Sequence, residues 1–382
     1  MKFVKRTAGM AWIGALTGRR RCPPAAAPSG LPWRGGWAGA AVAVAGLLGA
    51  AGAHADFDRR SLIQLGNSVL RIEAQEQDGR MQVGSGVVIA TERVVTNCHV
   101  TRRADSIAVV QAGSRWGVQA QVVDAEHDLC VLQVPGLPHA PVTVGHTGSL
   151  HEGQELAALG YTGGPALRIS GGSVVARHQW DGQLVIQCSN GFSSGASGGG
   201  LFDRDGRLVG ILTFRLPGGR TNFYALPTEW LPDTAAQRLR ATGVRPHAGQ
   251  GFWQQPMASL PPFLQAAALE QAGQWDALLQ LTERWTREDP TDAEPLYLRA
   301  LAHARLGRHD AAVQGWRRSL ALNPRQGRSW AGLAELYHRS GQAEQARQAL
   351  ESLQGLDPGL AHEVSERLRA ESAFGAREVA RH

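Results

Sequence analysis

The chain has 382 residues, four cysteines and a formal net charge of +6. Residues 1–55 hold seven Lys and Arg and no Asp or Glu, so the rest of the chain is close to neutral and lacks the basic face that nucleic-acid binding requires. The length suits two domains.

Residues 37–53 form an apolar run that ends in Ala53-His54-Ala55, a small-x-small cleavage pattern. The reading is a secretory signal cut after Ala55, which places the folded part in the periplasm or outside the cell. The basic stretch before the run is long for such a leader and points to a downstream start or a bipartite leader. Arg19-Arg20-Arg21 lies too far from the run for a twin-arginine signal. The competing reading is an uncleaved anchor, the one case in which this chain would meet a membrane; about 17 residues barely span a bilayer.

Beyond the leader, the apolar runs 87–89 and 94–95 flank Thr91-Glu92-Arg93 and read as a hairpin. Its second strand runs into Thr96-Asn97-Cys98-His99. A histidine where the chain leaves a sheet can enter a cleft and act as a general base, although a lone histidine is more often structural. Asp128 opens the strand-like Leu129-Cys130-Val131-Leu132, where its carboxylate can sit beside His99; Asp124 and Glu126 compete for that role. After the strand-like residues 184–187 comes Gly195-Ala196-Ser197-Gly198-Gly199-Gly200-Leu201. Its glycines allow a sharp turn that aims two N–H groups at one point, and its serine needs a base to become a nucleophile. Gly/Ser loops are otherwise linkers, so the chemistry of this one rests on the upstream histidine and acid.

Cys98, Cys130 and Cys188 each lie near one of these three residues. They read either as three buried thiols or, in an oxidising compartment, as a Cys98–Cys130 bridge plus one free thiol. Neither the cysteine spacing nor the scattered histidines resemble a metal site. No nucleotide-binding glycine motif occurs, and no cofactor is expected.

The β-rich texture closes at Leu231-Pro232-Asp233, and the Gly-, Pro- and Gln-rich residues 241–262 read as a linker. Then Gly273, Gly307 and Gly341, and Pro290, Pro324 and Pro358, each recur every 34 residues. That period predicts helix–turn–helix repeats of the tetratricopeptide type. Ala312 and Trp316 in the second repeat, and Trp330, Leu333, Tyr337 and Ala346 in the third, fall on helix-packing positions. The first repeat, 257–290, is degenerate. The expected layout is a leader over 1–55, a β domain over 56–240, a linker over 241–262, repeats over 263–360 and a capping helix or tail over 361–382. The repeats read as a groove for a peptide or partner protein, or as a spacer or dimerisation module.

The chain order His99, Asp128, Ser197 is one of the known triad orders. With Gly84-Ser85-Gly86-Val87-Val88-Ile89, Thr96-Asn97-Cys98-His99-Val100, Asp128-Leu129-Cys130-Val131-Leu132 and the Ser197 loop, residues 60–232 resemble trypsin-like serine proteases of the bacterial HtrA/Deg type. The resemblance implies a β + α multidomain chain: a chymotrypsin-like pair of antiparallel β-barrels with the site in the cleft between them, followed by an α-helical repeat solenoid. It assigns Ser197 as nucleophile, His99 as general base, Asp128 as orienting carboxylate, and the N–H groups of Gly195 and Ser197 as oxyanion hole. Gly191, Phe192, Thr213 and Phe214 are expected at the substrate pocket, which carries no charge. Strands 208–213 and 222–227 are expected to follow the nucleophile and line the cleft.

The sequence departs from the family at Ala196, where an Asp or Asn is usual, and at Gly200, where a proline is common. Without an acid at 196, activation by a new N-terminal ammonium is not expected. No PDZ domain is visible, and the repeats are expected to take its place as substrate recruiter or partner dock. Deletion of 250–382 should then impair cleavage of a folded substrate and spare a short peptide. The expected function is a serine endopeptidase acting on protein or peptide substrates. The alternative is an inactive protease fold that binds partners through the repeats.

Overall fold

The computed structural model describes residues 57–217, 221–231 and 242–379. The expected signal and its cleavage site lie outside these residues. A short helix α1 (Arg59–Gly66) begins where the Asp58 carboxylate accepts from the N–H groups of Arg60 and Ser61, a side-chain cap for otherwise unpaired donors.

Seven strands follow: β1 (Val69–Gln75), β2 (Met81–Ala90), β3 (Arg93–Asn97), β4 (Ser106–Gln111), β5 (Ser114–Gly117), β6 (Ala120–Asp124) and β7 (Leu129–Gln133). The hairpin read from the sequence is β2 and β3, with Val87 opposite Val95 and Val88 opposite Val94. A single helical turn, α2 (Cys98–Thr101), leaves β3 directly. Six further strands, β8 (Glu155–Tyr161), β9 (Leu167–Trp180), β10 (Gln183–Cys188), β11 (Gly200–Phe202), β12 (Leu208–Arg215) and β13 (Phe223–Pro227), close into a barrel in the order β10-β13-β12-β11-β8-β9. The first sheet does not close. It is an eight-stranded antiparallel sheet in the order β14-β6-β7-β3-β2-β1-β4-β5, so one closed barrel stands where two were expected.

The eighth strand, β14 (Thr242–Gly243), comes from the segment read as a linker, and pairs Thr242 with Gln121 on β6. The same segment stays on the sheet beyond it: Gln121 donates to the Arg245 carbonyl, His247 N–H to Arg102 O and Phe252 N–H to Glu126 O. Phe252 is buried in the same apolar cluster as Leu129, Phe214 and Trp230. The linker expectation is corrected on this point. Gly, Pro and Gln carry no periodic signal, yet the backbone groups and two aromatic rings of this segment find partners only after the sheet has formed.

Helices α3 (Pro262–Gln271), α4 (Trp275–Glu288), α5 (Glu294–Arg305), α6 (His309–Leu322), α7 (Gly327–Arg339) and α8 (Ala343–Leu356) form three antiparallel pairs, and α9 (Pro358–Val379) follows. Gly273, Gly307 and Gly341 turn each pair with φ of +63°, +72° and +74°, the left-handed conformation in which glycine ends a helix. Ala361, Val364 and Leu368 of α9 are buried in the core of the later repeats. No helix among the described residues is long and apolar enough to cross a membrane. The strands and helices belong to one compact unit, and one apolar cluster runs from Val95 and Leu129 through Phe202 and Tyr224 to Phe263, Leu278 and Leu298.

Candidate active site

Asp128 sits in the tight turn between β6 and β7 with φ +59°, a conformation that Asp tolerates better than most residues. The turn points its carboxylate at the end of β3 rather than along β7. Its carbonyl accepts from Cys98 N–H and from Asn97 Nδ2, which fixes α2 against the turn. Its carboxylate then reads His99 twice: Oδ1 accepts the His99 backbone N–H at 2.8 Å and Oδ2 meets His99 Nδ1 at 2.7 Å. Asp128 is 1% exposed, so this charge-assisted pair is shielded from water. The structure separates Asp128 from its two sequence competitors. The Asp124 carboxylate pairs with His127 Nδ1 at 2.8 Å, and Glu126 is exposed. Burial works against the charge on His127, but the Asp124 and Asp181 carboxylates hold its pKa above the ordinary value.

Two more donors reach Asp128 Oδ2: Thr213 Oγ1 and Trp253 Nε1, each at 3.1 Å. Thr213 arrives because β12 shifts register between Leu212 and Phe214 against β13; a bulge of this kind re-aims a side chain. Cys98 and Cys130, on either side of this pair, are joined as a disulfide that ties α2 to β7. His247 Nε2 lies 4.0 Å from Cys130 Sγ, and both sulfurs are taken up by the disulfide. Cys188 is a buried free thiol whose pKa burial pushes up to about 12, which makes it inert.

Ser197 lies on the loop that enters β11, and Thr213 links it to Asp128. Its hydroxyl donates to the Thr213 carbonyl at 3.0 Å. Gly195 and Gly198 have φ of +95° and +86°, and a Cβ on Gly198 would lie 2.2 Å from the Ser85 carbonyl oxygen. Among the described residues, the N–H groups of Gly195 and Ser197 donate to nothing. Their neighbours are engaged: Ala196 N–H goes to Ser193 O, Gly198 N–H to Leu212 O and Gly199 N–H to Ala196 O.

Sequence reasoning did not single out Ser85, which tethers this loop. Its hydroxyl donates to the Gly195 carbonyl at 2.7 Å and accepts from Tyr161 N–H at 2.8 Å. Its own N–H donates to the Ser197 carbonyl at 2.8 Å. Ser85 is fully buried, and Ala196 is 1% exposed against Gly160. A hydroxyl set between two glycines before an apolar strand was the available signal. Trp253 left none, being 125 residues from its partner.

The expected pocket residues divide. Gly191 is exposed and Phe192 packs on Phe223 with ring centres 5.1 Å apart. Thr213 turns its side chain to Asp128, and Phe214 is buried between Tyr224 and Trp253 at 4.7 and 4.9 Å. These two line the Asp128 carboxylate and the core rather than an open pocket, because the bulge and the stacked indole take up their side chains. A cavity of about 250 Å³ opens beside His99, lined by His99, Glu76, Val100, Arg102, Arg103 and Gln254 among others.

Residues 84–211 match the trypsin-like peptidase domain, and residues 303–368 match the tetratricopeptide repeat. A probable periplasmic serine endoprotease DegP-like of Halomonas elongata is 31% identical over 188 residues, 47% of this chain and 40% of that protein. Serine protease Rv3671c of Mycobacterium tuberculosis is 27% identical over 140 residues, 34% of this chain and 35% of that protein. The solved active form of the Rv3671c protease superposes with a TM-score of 0.45 at 21% identity, over 51% of this chain and 89% of that one. The chain spans less than half the length of the curated relatives it matches. It carries a trypsin-like peptidase domain followed by tetratricopeptide repeats, with HtrA/DegP-like homologues.

Proposed function

We propose that this trypsin-like peptidase domain is a working serine endopeptidase that hydrolyses peptide bonds through an acyl-enzyme. The observation that carries the reading is the doubly bonded, buried Asp128 holding His99, with Ser197 on a loop whose two free N–H groups suit an oxyanion hole. His99 Nε2 takes the proton of Ser197 Oγ as the oxygen attacks the substrate carbonyl, and the N–H groups of Gly195 and Ser197 receive the oxyanion. His99 then gives that proton to the leaving amine. Water, deprotonated by the same imidazole, attacks the ester, and the acid product leaves with Ser197 restored. Asp128 orients the ring and balances its charge throughout. The substrate is a protein or peptide, and DegP-like relatives named as periplasmic, together with the basic and apolar leader, support action in the periplasm or outside the cell. The repeats recruit substrate or a partner protein.

A second reading, a binding protein without catalysis, draws on one contact: Ser197 Oγ is bonded to the Thr213 carbonyl rather than to His99. A fluorophosphonate probe decides between the two readings. Labelling of the wild-type chain at Ser197, lost in Ser197→Ala and in His99→Ala, is the outcome expected of a peptidase. An unlabelled wild-type chain whose repeats still hold a protein ligand would reverse the assignment.

A further inference from the structure

The segment between the strands and the repeats reaches into the triad. Phe252 N–H is anchored on the Glu126 carbonyl, two residues before Asp128. The next residue, Trp253, puts its indole N–H 3.1 Å from Asp128 Oδ2, the same oxygen that meets His99 Nδ1. Its ring stands edge-on to the His99 imidazole with centres 5.4 Å apart and an interplanar angle of 85°. The other face of the indole stacks on Phe214 at 4.9 Å and 18°. Gly251 sets the approach, since a Cβ there would lie 2.8 Å from Trp253 Nε1 and 3.0 Å from Asp128 Cβ. Trp253 therefore touches the orienting acid, the base and the aromatic residue after Thr213, from outside the stretch that matches the peptidase family.

A buried carboxylate oxygen that accepts from a ring N–H and two further donors is fixed in rotation. We propose that Trp253 is a positioning residue for the Asp128 and His99 pair, supplied by the segment that leads to the repeats. The indole N–H holds Oδ2 in the plane that the imidazole N–H requires, and the ring edge keeps the imidazole from swinging toward the cavity lined by Arg102 and Gln254. Trp253 acts through Asp128 and His99 and exchanges no proton with substrate. The inference rests on the peptidase reading above.

The test is Trp253→Phe in the full chain, which keeps the ring on Phe214 and removes only the donor. Trp330→Phe, which removes an indole bond to the Pro324 carbonyl in the third repeat, is the control. The expected result is labelling of Ser197 by a small fluorophosphonate roughly tenfold slower, the loss expected of one charge-assisted hydrogen bond. For a short peptide, kcat falls by the same factor with KM within about twofold, while Trp330→Phe matches wild type. Equal labelling rates for Trp253→Phe and wild type would overturn the inference while leaving the peptidase standing. A loss confined to KM would overturn it too, and would make Trp253 a cleft wall. The indole N–H resonance of Trp253, identified by its absence in Trp253→Phe, should move in Asp128→Asn; an unmoved resonance removes the hydrogen bond and the proposal with it. An unlabelled wild-type chain with a shifted resonance would instead fault the peptidase reading alone.

Discussion

Ala196 brings no polar side chain to the Ser197 loop, and Ser85 supplies a tether from the facing sheet. One hydroxyl bonds both the Gly195 carbonyl and the Tyr161 N–H, while the Ser85 N–H holds the Ser197 carbonyl. Replacing Ser85 with Ala leaves a buried acceptor and a buried donor unpaired, each costing roughly 1–3 kcal/mol. The expected outcome for Ser85→Ala is a lower unfolding midpoint together with slower fluorophosphonate labelling, since the Gly195 peptide is free to turn its N–H out of the oxyanion position. Unchanged labelling in a folded variant would show that the loop holds its shape without this hydroxyl. The candidate triad was legible residue by residue because each member sits in a short motif with its own local signal. Ser85 was visible as a residue but its partners were not, because Gly195 lies 110 positions away. Thr213 was read as a pocket residue because strand alternation does not reveal the bulge that turns it to Asp128.

The repeats meet the closed barrel through a polar and aromatic seam. Phe263 of α3 stacks on the buried His178 of β9 at 4.4 Å. Asn323, after α6, donates to Glu152 Oε1 at 2.9 Å, and Arg325 reaches His151. Burial raises the Glu152 pKa to about 7, and the nearby charges of Arg328 and Glu294 pull it in opposite directions. The ordinary carboxyl value is the unfolded reference. The folded state therefore holds this proton more tightly, and stability falls as pH rises from about 4.5 to about 7, then levels. Glu152→Gln keeps the acceptor for Asn323 and removes the ionisation. Unfolding by urea at pH 5 and pH 8 should show a smaller pH-dependent loss in Glu152→Gln than in wild type, by up to about 3 kcal/mol; equal losses would place the titrating group elsewhere. The 34-residue period announced the helix pairs and their turns. It carried no information on which face meets the barrel, because that choice depends on His178 and Glu152, residues of another element.

At the scale of the whole molecule, residues 242–254 do not stand apart as the linker that the composition of 241–262 suggests. β14 completes the first sheet, Phe252 and Phe263 belong to the cluster that contains Leu129 and Tyr224, and Trp253 contacts Asp128 and His99. Deleting 250–382 therefore removes more than the repeats. Such a truncation should lose activity on a short peptide as well as on a folded protein, and should expose His178, Phe214 and Tyr224 to water. Retained peptide cleavage with loss on the folded protein alone would restore the simpler picture of a separable recruiter. Charge substitutions on exposed repeat positions distant from the barrel are the cleaner probe of recruitment, since they leave residues 242–263 in place.

The sequence by itself determined the β-then-α order, the candidate triad and the repeat register. Each is written in local pattern: strand alternation, motif glycines and a helical period. Only the tertiary structure decided that Ser85 tethers the Ser197 loop where 196 has no polar side chain, that the first sheet stays open, and that Trp253 reaches Asp128 and His99 from the segment read as a linker. Those outcomes rest on hydrogen bonds and ring contacts between residues distant in the chain. Their partners exist only once the backbone has closed and water has been excluded from the space between them.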